Sequence, residues 1–147
     1  MSVKERESVS AAASAAGQPA NEGGPAGEAA PMLPEEERVA VNTLLERVRQ
    51  FAEQKARLVT ITCLDAGGKL ELIYHFDQNL EISHLRLVVD PDEEVPSISG
   101  IYLAAFLVEN EMKEMFGLKV RGLAIDYGGR LLLSQNSPQT PMLKDGR

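Results

Sequence analysis

The sequence predicts an α+β fold in which two helices pack against an antiparallel meander sheet of three to four strands. Two stretches with the apolar spacing of a helix flank three runs that alternate apolar and polar residues. Short segments containing Gly, Asp or Asn separate the three runs, as hairpin turns do. Because a half-apolar sheet needs helices over its buried face, this order of elements indicates one layered domain.

The chain divides into three parts by composition. Residues 1–33 are mostly Ala, Gly, Ser, Pro and Glu, with little to bury, so we predict a disordered N-terminal arm. Residues 34–133 hold all the periodic segments and are predicted to form a single α+β domain. Residues 134–147 are predicted to form an irregular tail.

The first helix is predicted from Pro34 to Arg57. Pro34 suits the first helical position, and the three glutamates after it suit the positive end of the helix dipole. One apolar stripe at helical spacing runs along this segment, formed by Val41, Leu44, Leu45, Val48, Phe51 and Ala52.

Three strands are predicted at residues 57–65, 69–77 and 80–90, joined by the turns "AGG" and "DQN". In the third strand the apolar positions change parity between Ile82 and Leu85, which indicates either a β-bulge or a strand with two apolar faces. The second strand has one clear apolar face, formed by Leu70, Leu72, Tyr74 and Phe76.

The second helix is predicted over residues 98–116, after the acidic loop "PDEEVPS". Ser97 or Ser99 is a candidate N-cap, and Gly117 is a candidate C-terminal stop. The first half, "IYLAAFLV", is apolar almost all round, which predicts burial on more than one side. One side faces the chain's own core, and the side that carries Leu103 and Leu107 calls for a partner. The rest of the chain is predicted to be irregular, with a short apolar segment, "RLLL".

Charge and hydropathy narrow the function classes. The chain has 22 acidic and 15 basic residues, a net charge of −7, and no Lys/Arg stripe, which argues against nucleic-acid binding. No run approaches the roughly 20 apolar residues that span a bilayer. The first ten residues lack the apolar core of a secretory signal. We therefore expect a cytoplasmic protein, with docking to a membrane complex left open.

Cys63 is the single cysteine of the chain. One thiol excludes an intrachain disulfide and an iron–sulfur or four-thiolate zinc site built from this chain alone. Because Cys63 lies in the alternating run "VTITCLD", we expect a small buried side chain and not a nucleophile.

Three glutamates in "ENEMKEMFG", residues 109–117, are candidates for acid–base catalysis or metal binding. Glu109 and Glu111 lie ~200° apart on a helical wheel, so they do not converge on one substrate as a paired acid and base. No histidine follows them at metal-ligand spacing. Two interpretations remain open: a solvated helix end in which Glu109 pairs with Lys113, or a helix end held against another chain.

Two motifs carry a resemblance to a known family. The segment Val95–Ile98 reads V-P-S-I, and "ENEMKEMFGL" places Glu109, Glu111, Phe116 and Gly117 on the pattern E-R-E-x-x-D-x-F-G-[IV]. In these residues the chain resembles the C subunit of the NADH-quinone oxidoreductases and its relatives in membrane-bound nickel–iron hydrogenases. The resemblance covers roughly residues 59–133, and "TPMLKD" near the end is similar to that family's H-P-L-R-K-D tail.

The departures from the pattern favour one branch of the family. Asn110, Lys113 and Glu114 stand where the family has Arg, an aromatic residue and Asp. The family's G-H-P-x-L-R-R segment is reduced to Gly122. Short members of this kind are typical of the hydrogenase branch, so the chain most resembles the D subunit of the Ech-type energy-converting hydrogenases or its carbon-monoxide-linked equivalent.

The resemblance implies a non-catalytic subunit without a cofactor of its own. Its partners would be a hydrogenase-type large catalytic subunit, a cluster-bearing small subunit, a ferredoxin-like subunit and a membrane module, which together carry the nickel–iron centre and the iron–sulfur clusters. The complex would pass electrons from ferredoxin to protons and lie on the inner face of the cell membrane. The residues that it assigns to the subunit interface are Glu109, Glu111, Glu114, Phe116 and Gly117.

Three other functions remain as alternatives. The first is the C subunit of an NADH-quinone oxidoreductase, and the second is a soluble adaptor unrelated to redox chemistry. The third is a small enzyme that uses Glu111, Glu114, His75 or His84, although neither histidine has a partner at ligand spacing in the sequence.

Overall fold

The computed structural model describes residues 36–144. The predicted disordered arm and the first two residues of the predicted first helix lie outside this range. The elements, in chain order, are β1 (Glu36–Arg38), α1 (Leu44–Glu53), β2 (Arg57–Asp65), β3 (Leu70–Gln78), β4 (Glu81–Val89), β5 (Glu94–Pro96), α2 (Ala105–Phe116) and β6 (Lys119–Arg121).

The α+β prediction is confirmed, with a mixed sheet in place of a purely antiparallel one. The main sheet has the order β1-β4-β3-β2, in which β4-β3-β2 is the predicted antiparallel meander. The edge strand β1 pairs with β4 in parallel. A second, two-stranded parallel sheet joins β5 to β6.

The core lies between one face of the main sheet and both helices. Alternation along β3 buries the predicted apolar face, and β4 contributes Leu85, Leu87 and Val89 directly opposite it. From α1 come Leu44 and Val48, and from α2 come Ala105 and Met112. The rings of Phe51 and Phe76 stack with centroids 4.4 Å apart, which joins α1 to β3.

The predicted start of the first helix is wrong. The chain is extended over Glu36–Arg38, and α1 begins at Leu44 after a turn in which the Thr43 hydroxyl bonds Ala40. The reason is an ion pair with a distant strand: Arg86 of β4 donates to both carboxylate oxygens of Glu36, at 2.5 and 3.0 Å. Arg86 is buried, so this pair outweighs the modest gain of a glutamate at a helix N-terminus.

The parity change in β4 arises because the strand has apolar residues on both faces, and not from a bulge. Pairing of β3 with β4 runs without a shift from Leu70↔Val89 to Gln78↔Glu81. Ile82 therefore lies on the outer face of the sheet, away from the core, and is 49% exposed. The bulge is instead in β2, where the register shifts between Leu58 and Thr60.

The second helix is shorter than predicted. Residues 98–104 form turns, and α2 begins at Ala105 with Ala104 at the N-cap and no side-chain cap, so neither Ser97 nor Ser99 caps it. The predicted acidic loop contains β5, which the sequence analysis did not identify. The C-terminal stop is confirmed: Gly117 has φ 70°, the left-handed conformation that glycine adopts without strain.

Neither helix within residues 36–144 has the length and apolarity needed to cross a bilayer. The thiol of Cys63 is half-buried in β2, and burial, with a smaller contribution from Asp65, raises its pKa to about 12. A thiol that stays protonated at neutral pH is a poor nucleophile, as the sequence led us to expect.

Candidate functional site

Glu109 fastens α2 to the segment that follows β5. Its side chain is only 2% exposed. One oxygen accepts a hydrogen bond from the Ile98 backbone N–H at 2.7 Å, and the other accepts one from the Ser97 hydroxyl at 2.6 Å. Burial raises the pKa of this carboxyl, and the two hydrogen bonds act in the opposite direction by favouring the ionised form. The two motifs that carried the family resemblance therefore bond to each other.

A short hydroxyl relay extends this contact to the loop after β6. Because Ser97 donates its proton to Glu109, the Ser99 hydroxyl, 2.6 Å away, donates to Ser97. The Ser99 oxygen then accepts a hydrogen bond from the Ala124 backbone N–H at 2.9 Å. The candidate N-cap serines thus join three segments of chain instead of capping the helix.

Asn110 holds the next part of the same loop. Its amide nitrogen donates to the carbonyls of Phe106 and Ile125, both at 2.7 Å, and its amide oxygen accepts from the Tyr127 N–H at 2.9 Å. The side chain is buried, and both of its N–H donors and one of the two lone pairs of its oxygen form hydrogen bonds with backbone groups. In the sequence Asn110 is marked only by its departure from the family pattern, and this role was not predicted.

Glu114 holds the segment "RLLL". Its two oxygens accept hydrogen bonds from the consecutive backbone N–H groups of Leu132 and Leu133, at 2.8 and 2.7 Å. The side chain is buried. An irregular segment without strand or helix partners is held in place in this way, because a carboxylate supplies the acceptors that a sheet would otherwise provide.

Glu111 differs from the other two glutamates of α2. It is exposed, and among residues 36–144 no hydrogen bond or ion pair engages its carboxylate. The Glu109–Lys113 pair of the solvated-helix interpretation does not form, because Lys113 forms its ion pair with Asp126 at 2.7 Å. The hydrogen bond from Lys113 lowers the pKa of Asp126. Of the three carboxylates on α2, Glu111 is thus the one directed to solvent.

Phe116 and Gly117 shape the end of α2. Phe116 is half-buried and packs against the core, and Gly117 turns the chain towards β6. A Cβ at Gly117 would lie 3.1 Å from the Thr140 methyl carbon, so the tail also approaches closely here. The tail continues past this point, with the Met142 N–H bonded to the Met115 carbonyl and the Lys144 N–H bonded to Asp65.

Apolar side chains are exposed along α2 and on the loop beside it. Leu103 is 63% exposed and Leu107 is 47% exposed. Ile125 and Tyr127, whose backbones Asn110 holds, are each 43% exposed. The Tyr127 ring stacks near Phe106, with centroids 6.3 Å apart. The second apolar side of this helix, predicted from the sequence, therefore faces solvent in this chain.

The two histidines lie on the outer face of the sheet, remote from the carboxylates of α2. His75 and His84 are directly opposite on β3 and β4, with their Nδ1 atoms 2.8 Å apart, and the Thr62 hydroxyl is 2.9 Å from Nε2 of His75. Burial, followed by the proximity of His84, lowers the pKa of His75. The structure therefore does not bring together the residues of the small-enzyme alternative.

The described residues do not gather three His, Cys, Asp or Glu side chains in a metal-binding arrangement. The polar groups of α2 act instead on backbone: Glu109, Asn110 and Glu114 together fix five backbone N–H or C=O groups outside the helix. What this arrangement does chemically is hold loops that have no regular structure of their own.

Comparisons with known proteins show the family of the chain and a shared fold. A family model described as respiratory-chain NADH dehydrogenase, 30 Kd subunit, matches residues 35–147. No curated protein matches the chain. Among solved structures, the chain is similar to one from the membrane-bound sulfane sulfur reductase (MBS), an archaeal respiratory membrane complex, with a TM-score of 0.57 and 23% identity. The match covers 72% of this chain and 65% of that one, and at this identity it shows a shared fold.

Proposed function

Because this chain belongs to the family of the 30 kDa subunit of respiratory-chain NADH dehydrogenase, we propose that it is a non-catalytic subunit of a membrane-bound, complex I-related oxidoreductase. In this role it binds the large catalytic subunit and carries no cofactor of its own. It associates with the membrane through the other subunits, on the inner face of the cell membrane.

One observation supports this role above the others: Glu109, which matches the family motif, and Glu114, which stands where the family has Asp, hold other segments of this chain. A general acid or base has to reach a proton on a substrate. Glu109 and Glu114 instead direct both of their oxygens at groups of this chain. Since these bonds position loops beside an exposed apolar surface, the motif serves shape and assembly better than chemistry.

Within this role we place the chain in the hydrogenase branch. The complex would carry electrons from ferredoxin to protons, with hydrogen evolution coupled to ion translocation. The partners are then a hydrogenase-type large subunit with a nickel–iron centre, a cluster-bearing small subunit, a ferredoxin-like subunit and a membrane module. Support comes from the motif positions Asn110 and Lys113 and from the reduced segment after Gly117.

A second candidate is the C subunit of an NADH-quinone oxidoreductase. The description of the matching family model, which names the respiratory NADH dehydrogenase, favours it. In that case the same surface of α2 contacts a quinone-reductase large subunit, and iron–sulfur clusters without nickel lie in the partner subunits.

Affinity purification tests the proposal. The full chain, tagged at its N-terminus, is expressed in its own cells and purified from detergent-solubilised membranes, with the tag alone as control. We expect redox subunits, iron and nickel in the eluate, measured by mass spectrometry and elemental analysis. Iron without nickel, together with quinone- or NADH-reactive subunits, would replace the first candidate with the second. Recovery of partners without any redox subunit would indicate an adaptor and contradict both.

A further inference from the structure

We propose that the large subunit binds the outer α2 surface, formed by Leu103, Leu107 and Glu111 of α2 and its preceding turn with Ile125 and Tyr127 of the following loop. The partner surface that fits it is apolar, with an arginine or lysine placed opposite Glu111. This inference rests on the proposed function and specifies where on this chain the contact is made.

The helical part of the outer α2 surface is formed by Leu107 and Glu111, which are four residues apart on α2 and therefore lie along one row of the helix. Leu103 is exposed in the turn that precedes the helix. Ala105, Glu109 and Met112 occupy the opposite, buried side. The exposed row therefore cannot be covered by the core that the same helix completes.

The loop residues of the outer α2 surface lie beside the row of α2 that contains Phe106 and Asn110. Phe106 and Asn110 both contact residues 125–127. The Asn110 side chain fixes the loop backbone by donating to the Ile125 carbonyl and accepting from the Tyr127 N–H, yet the side chains of Ile125 and Tyr127 remain exposed. A surface whose backbone is already ordered loses little conformational entropy on binding, which favours affinity.

The charges of the outer α2 surface select the chemistry of the partner. Glu109 and Glu114 are buried, and Asp126 is neutralised by Lys113. The unengaged charge of Glu111 is negative, and the whole chain carries −7. An apolar surface with one carboxylate at its end matches a protein surface with a cation in the corresponding place, and it repels nucleic acid or an anionic membrane.

A matched pair of exposed apolar residues makes the inference testable. Leu107 on α2 is 47% exposed, and Ile82 on the outer face of the sheet is 49% exposed. Replacement of either by glutamate adds one negative charge at a half-exposed apolar position. The two variants therefore differ in location, and because Ile82 lies opposite Asp77 on β3, the stability of each variant is measured before recoveries are compared.

The experiment repeats the membrane purification with the full chain and three variants, Leu107→Glu, Glu111→Lys and Ile82→Glu. Circular dichroism first checks that each variant is folded. We expect Leu107→Glu to lower recovery of the large subunit by about tenfold or more, as loss of a central contact does. Glu111→Lys, at the end of the surface, should lower recovery to a similar extent because it places two like charges opposite each other. Ile82→Glu should stay within about twofold of the wild type, as expected for a residue outside the interface.

The possible outcomes separate the surface from the function. Recovery of redox subunits by all four proteins would overturn the outer α2 surface and leave the proposed function intact. Loss with Ile82→Glu alone would move the contact to the sheet. Failure of the wild type to recover any redox subunit would refute the proposed function itself. If Leu107→Glu does not fold, the exposed Glu111→Lys still decides the question. A Leu107-dependent dimer without redox partners, detected by light scattering, would assign the surface to a second copy of this chain.

Discussion

Replacement of Glu109 by alanine tests whether the motif carboxylate is a structural fastener. The change removes both acceptors of a side chain that is 2% exposed, and it leaves the Ile98 N–H and the Ser97 hydroxyl without their partner. A buried polar group that loses its partner costs about 1–3 kcal/mol. Removal of the carboxylate also removes the cost of burying it, which offsets part of this loss. We therefore expect a net decrease of about 2–4 kcal/mol in the free energy of unfolding.

The glutamine variant is the matched control. Its amide oxygen can accept from the Ile98 N–H, and its amide nitrogen can donate to the Ser97 oxygen. Glu109→Gln should therefore cost about 1 kcal/mol, the difference between a charged and a neutral acceptor. Urea unfolding followed by circular dichroism measures both values on the full chain. A loss below about 0.5 kcal/mol for Glu109→Ala would refute the fastener role, and equal losses for Ala and Gln would show that the acceptor atoms do not matter.

Two further measurements follow from the same contact. Ser97→Ala combined with Glu109→Ala should be less damaging than the sum of the single changes, by about 1 kcal/mol, because both remove one shared hydrogen bond. The raised pKa of Glu109 sets a pH dependence: the folded state holds its proton more tightly than the unfolded state, whose pKa is near 4.5. The wild type should therefore gain stability relative to Glu109→Gln as the pH falls through the raised pKa towards 4.5.

Three other predictions concern separate contacts. Glu114→Ala should speed hydrogen exchange of the Leu132 and Leu133 amides, seen by mass spectrometry on the surrounding peptide, whereas Glu111→Ala should leave that peptide unchanged. The pKa of His75 is lowered in the folded state, so the unfolded state takes up the proton first and His75 should lower the free energy of unfolding as pH falls below about 6.5. The difference in unfolding free energy between wild type and His75→Gln should therefore change through that window, and a constant difference would contradict the prediction. Gly117→Ala should lower the free energy of unfolding by about 1–2 kcal/mol, because alanine is strained in the left-handed conformation. Adding Thr140→Ser to this variant should restore only the part of the loss that comes from the close contact with the Thr140 methyl group.

The strands show what a local pattern predicts well. The predicted ranges of β2 and β3 are correct to within one residue, because a period-two pattern with turn residues at both ends reports directly on a half-buried sheet. The first helix shows the opposite. Pro34 and the glutamates after it satisfy the local rules for a helix start, but the partner of Glu36 is Arg86, fifty residues away. A distant ion pair of this kind leaves no signal in the segment that it reorganises.

In the candidate site, too, some features are predicted by the local sequence pattern and others are not. The helical wheel places Glu109 and Glu111 on different flanks of the apolar stripe, but it did not predict that Glu109 is buried and Glu111 exposed. Apart from the Ser97 hydroxyl, the partners of the buried groups could not be predicted, since they are backbone N–H and C=O groups that carry no residue signature. Asn110 is the clearest case, because its partners at 125 and 127 are defined only by the path of the loop.

The edges of the main sheet affect how readily the free chain aggregates. At one edge β1 has only three residues, all charged, with Glu37 ion-paired to Arg47 of α1. At the other edge, the bulge between Leu58 and Thr60 interrupts the ladder of β2. Short charged edges and bulges block the strand-by-strand growth that leads to aggregates. These edges therefore disfavour fibril formation by the free chain.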